Sequence, residues 1–208
     1  VTGRGLFISF EGIDGSGKST QARHLAHDLR AAGHTVVLTR EPGGSAGAED
    51  IRALVLEGDT DRWSPEAELL LFTAARRDHL ERVIAPALEA GEVVICDRFA
   101  DSTRIYQGLG RADLRGLVDQ LHELMIGCEP DLTMLIDIAP DVGLERALSR
   151  NGGEARFEAF GQDLQTRMRA GFLDLAKQHA SRFVVIDGGR GVEAVAADVA
   201  HAVDARLP

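Results

Sequence analysis

Cysteine, tryptophan, tyrosine and asparagine are nearly missing from this chain: its 208 residues include two, one, one and one of them. Two cysteines, Cys96 and Cys128, are too few for a disulfide framework and fit a reducing compartment. They read as small buried hydrophobes. No stretch nears the roughly 18 continuous apolar residues of a membrane span. Ahead of the first strand-like segment, Val1-Thr2-Gly3-Arg4 offers neither the apolar region nor the cleavage site of a secretory signal. The expectation is a cytoplasmic protein with no membrane partner.

Positive charge is short as well. The formal net charge is −10. Proteins that engulf nucleic acid carry a basic face, so a nucleic-acid partner is not expected. A local cluster of cations can still hold a small anion inside an acidic protein. Of 23 basic residues only Lys18 and Lys177 are lysines. Against that bias, the lysine kept at position 18 draws the eye to its surroundings.

What the chain does have is alternation. Short apolar runs at Leu6–Phe10, Thr35–Thr39, Val93–Cys96, Leu132–Ile136 and Phe183–Ile186 read as strands. They lack polar alternation, as strands covered on both faces do. Between them lie helical patterns. One carries Ala22, Leu25, Ala26 and Leu29 and stops at Gly33. Others cover Ala48–Leu56, Glu66 towards Leu88 with a disturbance at Pro86, Leu114–Ile126, Val142–Leu148, Phe160–His179 and Val192–Leu207. The expected fold is a three-layer α/β/α sandwich with a five-stranded, mainly parallel sheet. With 44% hydrophobic residues, one domain over 1–208 is expected, with a short polar lid at about 149–159.

The first strand runs into Gly12-Ile13-Asp14-Gly15-Ser16-Gly17-Lys18-Ser19, which matches G-x-x-x-x-G-K-[ST]. The glycines let successive N–H groups turn inward onto phosphate oxygens, and the next helix adds its positive end. Lys18 suits the β/γ phosphates of a nucleoside triphosphate, and the Ser19 hydroxyl suits Mg²⁺. Thr20 continues the same segment. The fold is therefore expected to be of the P-loop NTPase type. A guanine-specific switch is disfavoured, because N-K-x-D is absent and the one asparagine, Asn151, precedes Gly152. An ATP-driven machine would end a strand in a carboxylate pair, whereas Val93–Cys96 ends in Asp97-Arg98. An arginine there points to an anionic acceptor.

The chain resembles bacterial thymidylate kinases over nearly its whole length. The pieces that carry the resemblance are EGIDGSGKST at Glu11–Thr20, REPGG at Arg40–Gly44, FTAARRDH at Phe72–His79, DRFADSTRIYQG at Asp97–Gly108 and PDLTMLID at Pro130–Asp137. The resemblance implies transfer of the γ-phosphate of MgATP to dTMP, and a homodimer formed through helix packing. It implies that Arg98 grips the acceptor phosphate and that Asp14 meets the acceptor sugar near its 3′-hydroxyl. Glu41 would help place Mg²⁺ or the acceptor phosphate, with a loop salt bridge as the alternative. Asp97 would hold Mg²⁺ through water or orient Arg98. Phe72 would stack on thymine and Arg76 bond its ring carbonyl. Thr103 and Gln107 would lie near the base, Tyr106 against the deoxyribose, and Arg52 and Ser102 elsewhere in the acceptor site.

Some members of that family carry an arginine inside the phosphate loop, where this chain has Gly15. The resemblance then implies that the catalytic arginine comes from the lid, as Arg156 of Arg156-Phe157-Glu158. Ala75 replaces a frequent acid before Arg76, which is expected to loosen that arginine. The rivals are a kinase for another nucleoside monophosphate or a deoxynucleoside, and a switch-type P-loop protein.

Overall fold

The strands assemble because their side chains are apolar on both faces. In the computed structural model, which describes residues 4–59, 61–109, 113–149 and 162–207, they are β1 (Phe7–Glu11), β2 (Val36–Arg40), β3 (Val93–Asp97), β4 (Leu132–Asp137) and β5 (Phe183–Asp187). All five pair in parallel in the order β2-β3-β1-β4-β5. The sheet is thus wholly parallel rather than mainly so. Side chains alternate between two cores. Ile8 and Phe10 face a cluster with Leu25, Leu29, Ile95, Met134, Val195 and Val199. That cluster joins the sheet to α1 (Lys18–Ala31) and α9 (Val192–Asp204). Phe7, Val94 and Cys96 face the other side, with Leu88 and Phe99. Leu135, Ile105, Met168 and Phe172 extend that second layer.

The remaining helices are α2 (Ala46–Leu56), α3 (Pro65–His79), α4 (Ala85–Glu89), α5 (Ala100–Tyr106), α6 (Arg115–Met125), α7 (Pro140–Leu148) and α8 (Gln162–Gln178). Helix α3 begins cleanly. Ser64 caps it by accepting from the Ala67 N–H at 3.2 Å, and Pro65 takes the first helical position. Its expected continuation to Leu88 is broken earlier than Pro86. Leu80–Ile84 forms a π turn, and α4 follows with Pro86 in its first turn. The Ala85 N–H closes the π turn on the Leu80 carbonyl, and Pro86, which has no N–H to donate, follows directly.

In this order β2 and β3 lie on one side of β1 and β4 and β5 on the other, so the connections switch sides at β1. Ligands of such sheets sit at the carboxyl ends of the strands near that point. Gly12, Arg98 and Ile138 leave the sheet there.

Phe10 is completely buried against α1 and the sheet's neighbours. Replacing Phe10 by Ala is expected to cost about 3–5 kcal/mol of unfolding free energy. Urea denaturation followed by circular dichroism checks this; a loss below about 1 kcal/mol would contradict the packing.

Candidate active site

Two cavities open at these strand ends. One is a cleft of about 690 Å³ lined by the phosphate loop, Lys18, Ser19, Arg23, Arg52, Asp97 and Arg98. The other is a narrower pocket lined by Phe72, Arg76, Phe99, Ser102, Thr103, Tyr106 and Gln107. Asp14, Glu41, Leu56 and Arg98 line both, so the cavities meet there.

The loop keeps its shape through glycines in the left-handed region: Gly12, Gly15 and Gly17 have φ of 137°, 77° and 99°. Gly15 is also crowded: a Cβ there would collide with the Gly143 carbonyl on α7. No side chain fits at that position in this packing. Helix α1 starts after Gly17 with no side-chain cap, which leaves its first N–H groups for a bound anion. Lys18 is buried, and its Nζ donates to the Ile13 carbonyl at 3.0 Å. Burial, helped by the charge of Arg98, pushes its pKa down to about 8.

Arg98 is the centre of the acceptor side. Its backbone has φ 71°, which is costly for a residue with a side chain. Several bonds hold it there. Its N–H donates to the Phe10 carbonyl at 2.9 Å, and the Cys96 thiol donates to its carbonyl at 2.9 Å. The guanidinium donates to Asp14 at 2.5 Å, Ser102 Oγ at 3.0 Å and Tyr106 Oη at 3.2 Å, and lies over the Tyr106 ring. Tyr106 in turn donates to Asp14 at 3.0 Å. Burial works against the Asp14 carboxylate, but Arg98, Lys18 and Tyr106 outweigh it, and its pKa falls below the ordinary value. Beneath Arg98 lies Glu11, fully buried at the end of β1. It accepts from the Phe99 N–H at 2.7 Å and the Ser102 hydroxyl at 2.6 Å. Burial and the nearby Asp101 push its pKa up to about 8.

In the pocket, Arg76 sits one helical turn after Phe72, on the same face of α3. Its Nε donates to Glu41 at 2.7 Å, and its Nη2 to the Phe99 carbonyl at 3.1 Å and Thr103 Oγ1 at 2.9 Å. The other Glu41 oxygen pairs with His79 Nδ1 at 3.0 Å. Both Glu41 oxygens are thus engaged, one of them in a buried ion pair with Arg76. Arg76 is not loosened by Ala75, because Glu41 supplies the orienting carboxylate from the loop after β2.

Mg²⁺ can be tested against the same site. Among the described residues one carboxylate oxygen of Asp97 is buried without a hydrogen-bond partner, and Asp97 and Ser19 line the same cleft. Hard oxygen donors beside a phosphate site fit that ion. The Arg98 guanidinium pairs with the Asp14 carboxylate.

This arrangement can be set beside known proteins. A family model described as thymidylate kinase matches residues 10–199. The chain belongs to the thymidylate kinase family. The thymidylate kinase of Ruegeria pomeroyi is 72% identical over 203 residues, covering 98% of this chain and 96% of that protein. The thymidylate kinase of Dinoroseobacter shibae is 68% identical and covers 96% of each. The crystal structure of thymidylate kinase from Ehrlichia chaffeensis is 37% identical, with a TM-score of 0.78 over 97% of this chain and 99% of that one.

Against the expectations for this family, the structure gathers Asp14, Lys18, Ser19, Glu41, Arg52, Phe72, Arg76, Asp97, Arg98, Ser102, Thr103, Tyr106 and Gln107 around the two cavities. Arg52 also braces the loop, donating to the Pro42 carbonyl at 2.6 Å. Arg156 and nearly all of the lid at 149–159 lie outside the described residues. The sequence reading missed Glu11, His79 and a third cavity. That cavity is lined by Ser16 and Thr20, both expected to bind the triphosphate, together with Gln21, Arg146, Gly188 and Arg190. The pair Gly188-Gly189 at the end of β5 was a usable signal for it.

The Glu11 shift has a sign that can be checked. Its pKa is raised from 4.5 to about 8, so the folded state holds the proton more tightly than the unfolded one. Its stabilising contribution is complete below the ordinary value and is lost as pH rises to about 8. Unfolding free energy measured from pH 5 to 8 should fall more steeply in the wild type than in Glu11→Gln. Parallel slopes would contradict the shift.

Proposed function

We propose that this protein transfers the γ-phosphoryl group of ATP to dTMP, giving ADP and dTDP. The observation that carries the reading is the meeting of the two cavities at Arg98 and Asp14. A donor held by the phosphate loop and an acceptor seated between Phe72 and Arg76 would bring their phosphates together at that junction.

The chain's groups divide the work as follows. Lys18 leaves the Ile13 carbonyl for the β/γ phosphates, joined by the N–H groups of Gly12–Thr20. Arg98 exchanges Asp14 for the acceptor phosphate. Released, Asp14 accepts from the sugar 3′-hydroxyl. The acceptor phosphate is already ionised, so no general base is required; the barrier is repulsion between two polyanions, which arginines reduce. Ser19 and Asp97 would hold Mg²⁺, which supplies further charge neutralisation. Phe72 stacks on thymine, Arg76 and Thr103 meet its edge, and Tyr106 crowds the place of a 2′-hydroxyl. Arg52, Glu41 and Ser102 complete the acceptor site.

The lid at about 149–159 contributes Arg156 to the transferring group. The crowding at Gly15 supports that source, since no arginine could project from the loop there. The reading further takes residues 1–208 as one domain acting in the cytoplasm as a homodimer. Exposed Leu70, Leu124 and Met125 on the mutually packed α3 and α6 support the dimer.

A coupled ADP-release assay across dTMP, dUMP, dCMP, dGMP and AMP should give the highest kcat/KM with dTMP. Equal or better turnover of a non-thymine acceptor would overturn the assignment. Replacing Arg156 by Ala should lower kcat by roughly 10³-fold or more with little change in KM. An unchanged kcat would remove Arg156 from the chemistry.

A further inference from the structure

Gln107 lines the acceptor pocket, yet its amide also has a partner on the side away from it. Its Nε2 donates to Glu68 Oε1 at 3.1 Å, and both residues are about 5% exposed. Glu68 lies in the first turn of α3, where the Ser64 cap and the bond from its own N–H to the Ser64 carbonyl fix the backbone. Gln107 closes α5, its N–H bonded to the Thr103 carbonyl at 3.1 Å. Glu68 does not line the pocket. It stands behind Gln107.

An amide side chain can be turned by half a rotation, exchanging donor for acceptor at almost no steric cost. A carboxylate removes that freedom. It only accepts, so the NH₂ must face it and the carbonyl oxygen must face away. Beside Gln107, Arg76 has committed Nε and Nη2 to Glu41, Phe99 and Thr103, and among the described residues its Nη1 has no partner. The pocket wall then offers a donor from Arg76 and an acceptor from Gln107. This pair complements a pyrimidine that shows a carbonyl next to a ring N–H. It opposes one that shows an amino group next to a bare ring nitrogen.

We propose that Glu68 is a positioning residue for acceptor choice: it fixes the Gln107 amide with its oxygen towards the base, and so selects thymine over cytosine-type edges. The proposal rests on the reading of the pocket as the thymine site. Glu68 touches no substrate; it acts only through Gln107.

The test uses dTMP and 5-methyl-dCMP, which differ only along that edge. Steady-state kcat/KM is measured for the wild type, Glu68→Gln, Gln107→Leu and the double variant, with thermal midpoints recorded for each. Glutamine at 68 can donate or accept, so Gln107 becomes free to turn. The preference for dTMP should then shrink about tenfold, the worth of one hydrogen bond, chiefly through a higher KM for dTMP. In the Gln107→Leu background the same substitution should leave the preference unchanged. A purely structural role would lower the thermal midpoint and keep the wild-type preference in Glu68→Gln, and that result overturns the proposal. An equal loss with and without Gln107 overturns it as well. If the wild type itself shows no preference for dTMP, the thymine reading fails instead, and the two failures are told apart.

Discussion

A guanidinium held on a carboxylate is the contact around which this site is organised. Arg98 sits in a backbone conformation that costs of order 1–3 kcal/mol for a residue with a side chain. Its surroundings over-determine it through Phe10, Cys96, Ser102, Tyr106 and Asp14. In this state Asp14 stands where an anionic ligand would compete for the same donors. The cation is thereby kept aimed and partly neutralised inside a protein that carries net negative charge.

Arg76 is fixed on the same principle, farther from the phosphates. Removing one partner from a buried ion pair leaves an uncompensated charge and costs about 3–5 kcal/mol. Glu41 bonds both Arg76 and His79, and His79 reaches Thr39 at 2.7 Å, so the loop after β2, helix α3 and the strand itself are tied together. Away from the cavities a third network does the same for α5. Asp101 binds Arg104 and Arg182, and Arg104 also pairs with Glu129. The short helix carrying Ser102, Thr103 and Tyr106 is therefore braced by charge on its hidden side.

The sheet and most helices could be read from the sequence because strands buried on both faces are plain apolar runs. Helix α5 could not be read by period. Between Ala100 and Ile105 it buries the polar run Asp101, Ser102, Thr103 and Arg104, and partners such as Glu11, Arg76 and Arg182 lie far away in the chain. The π turn at Leu80–Ile84 is equally silent, since its residues still follow a helical pattern. Glycines and lysine announce the phosphate loop by type and spacing alone. Glu68 and Gln107, 39 positions apart, acquire meaning only when the fold brings them to 3.1 Å. The same holds for Glu11, which reads as one more charged residue until it is found completely buried.

The contact between Gly15 and Gly143 limits how the phosphate loop can vary. Each glycine fills space that the other's backbone leaves: a Cβ on Gly143 would sit 2.8 Å from the Asp14 carbonyl, and one on Gly15 would strike Gly143. An arginine at position 15 cannot arise here by a single substitution, because α7 must first withdraw. Two glycines on different elements thus act as a ratchet: either can gain a side chain only after the loop and α7 have parted, so the order of the changes matters.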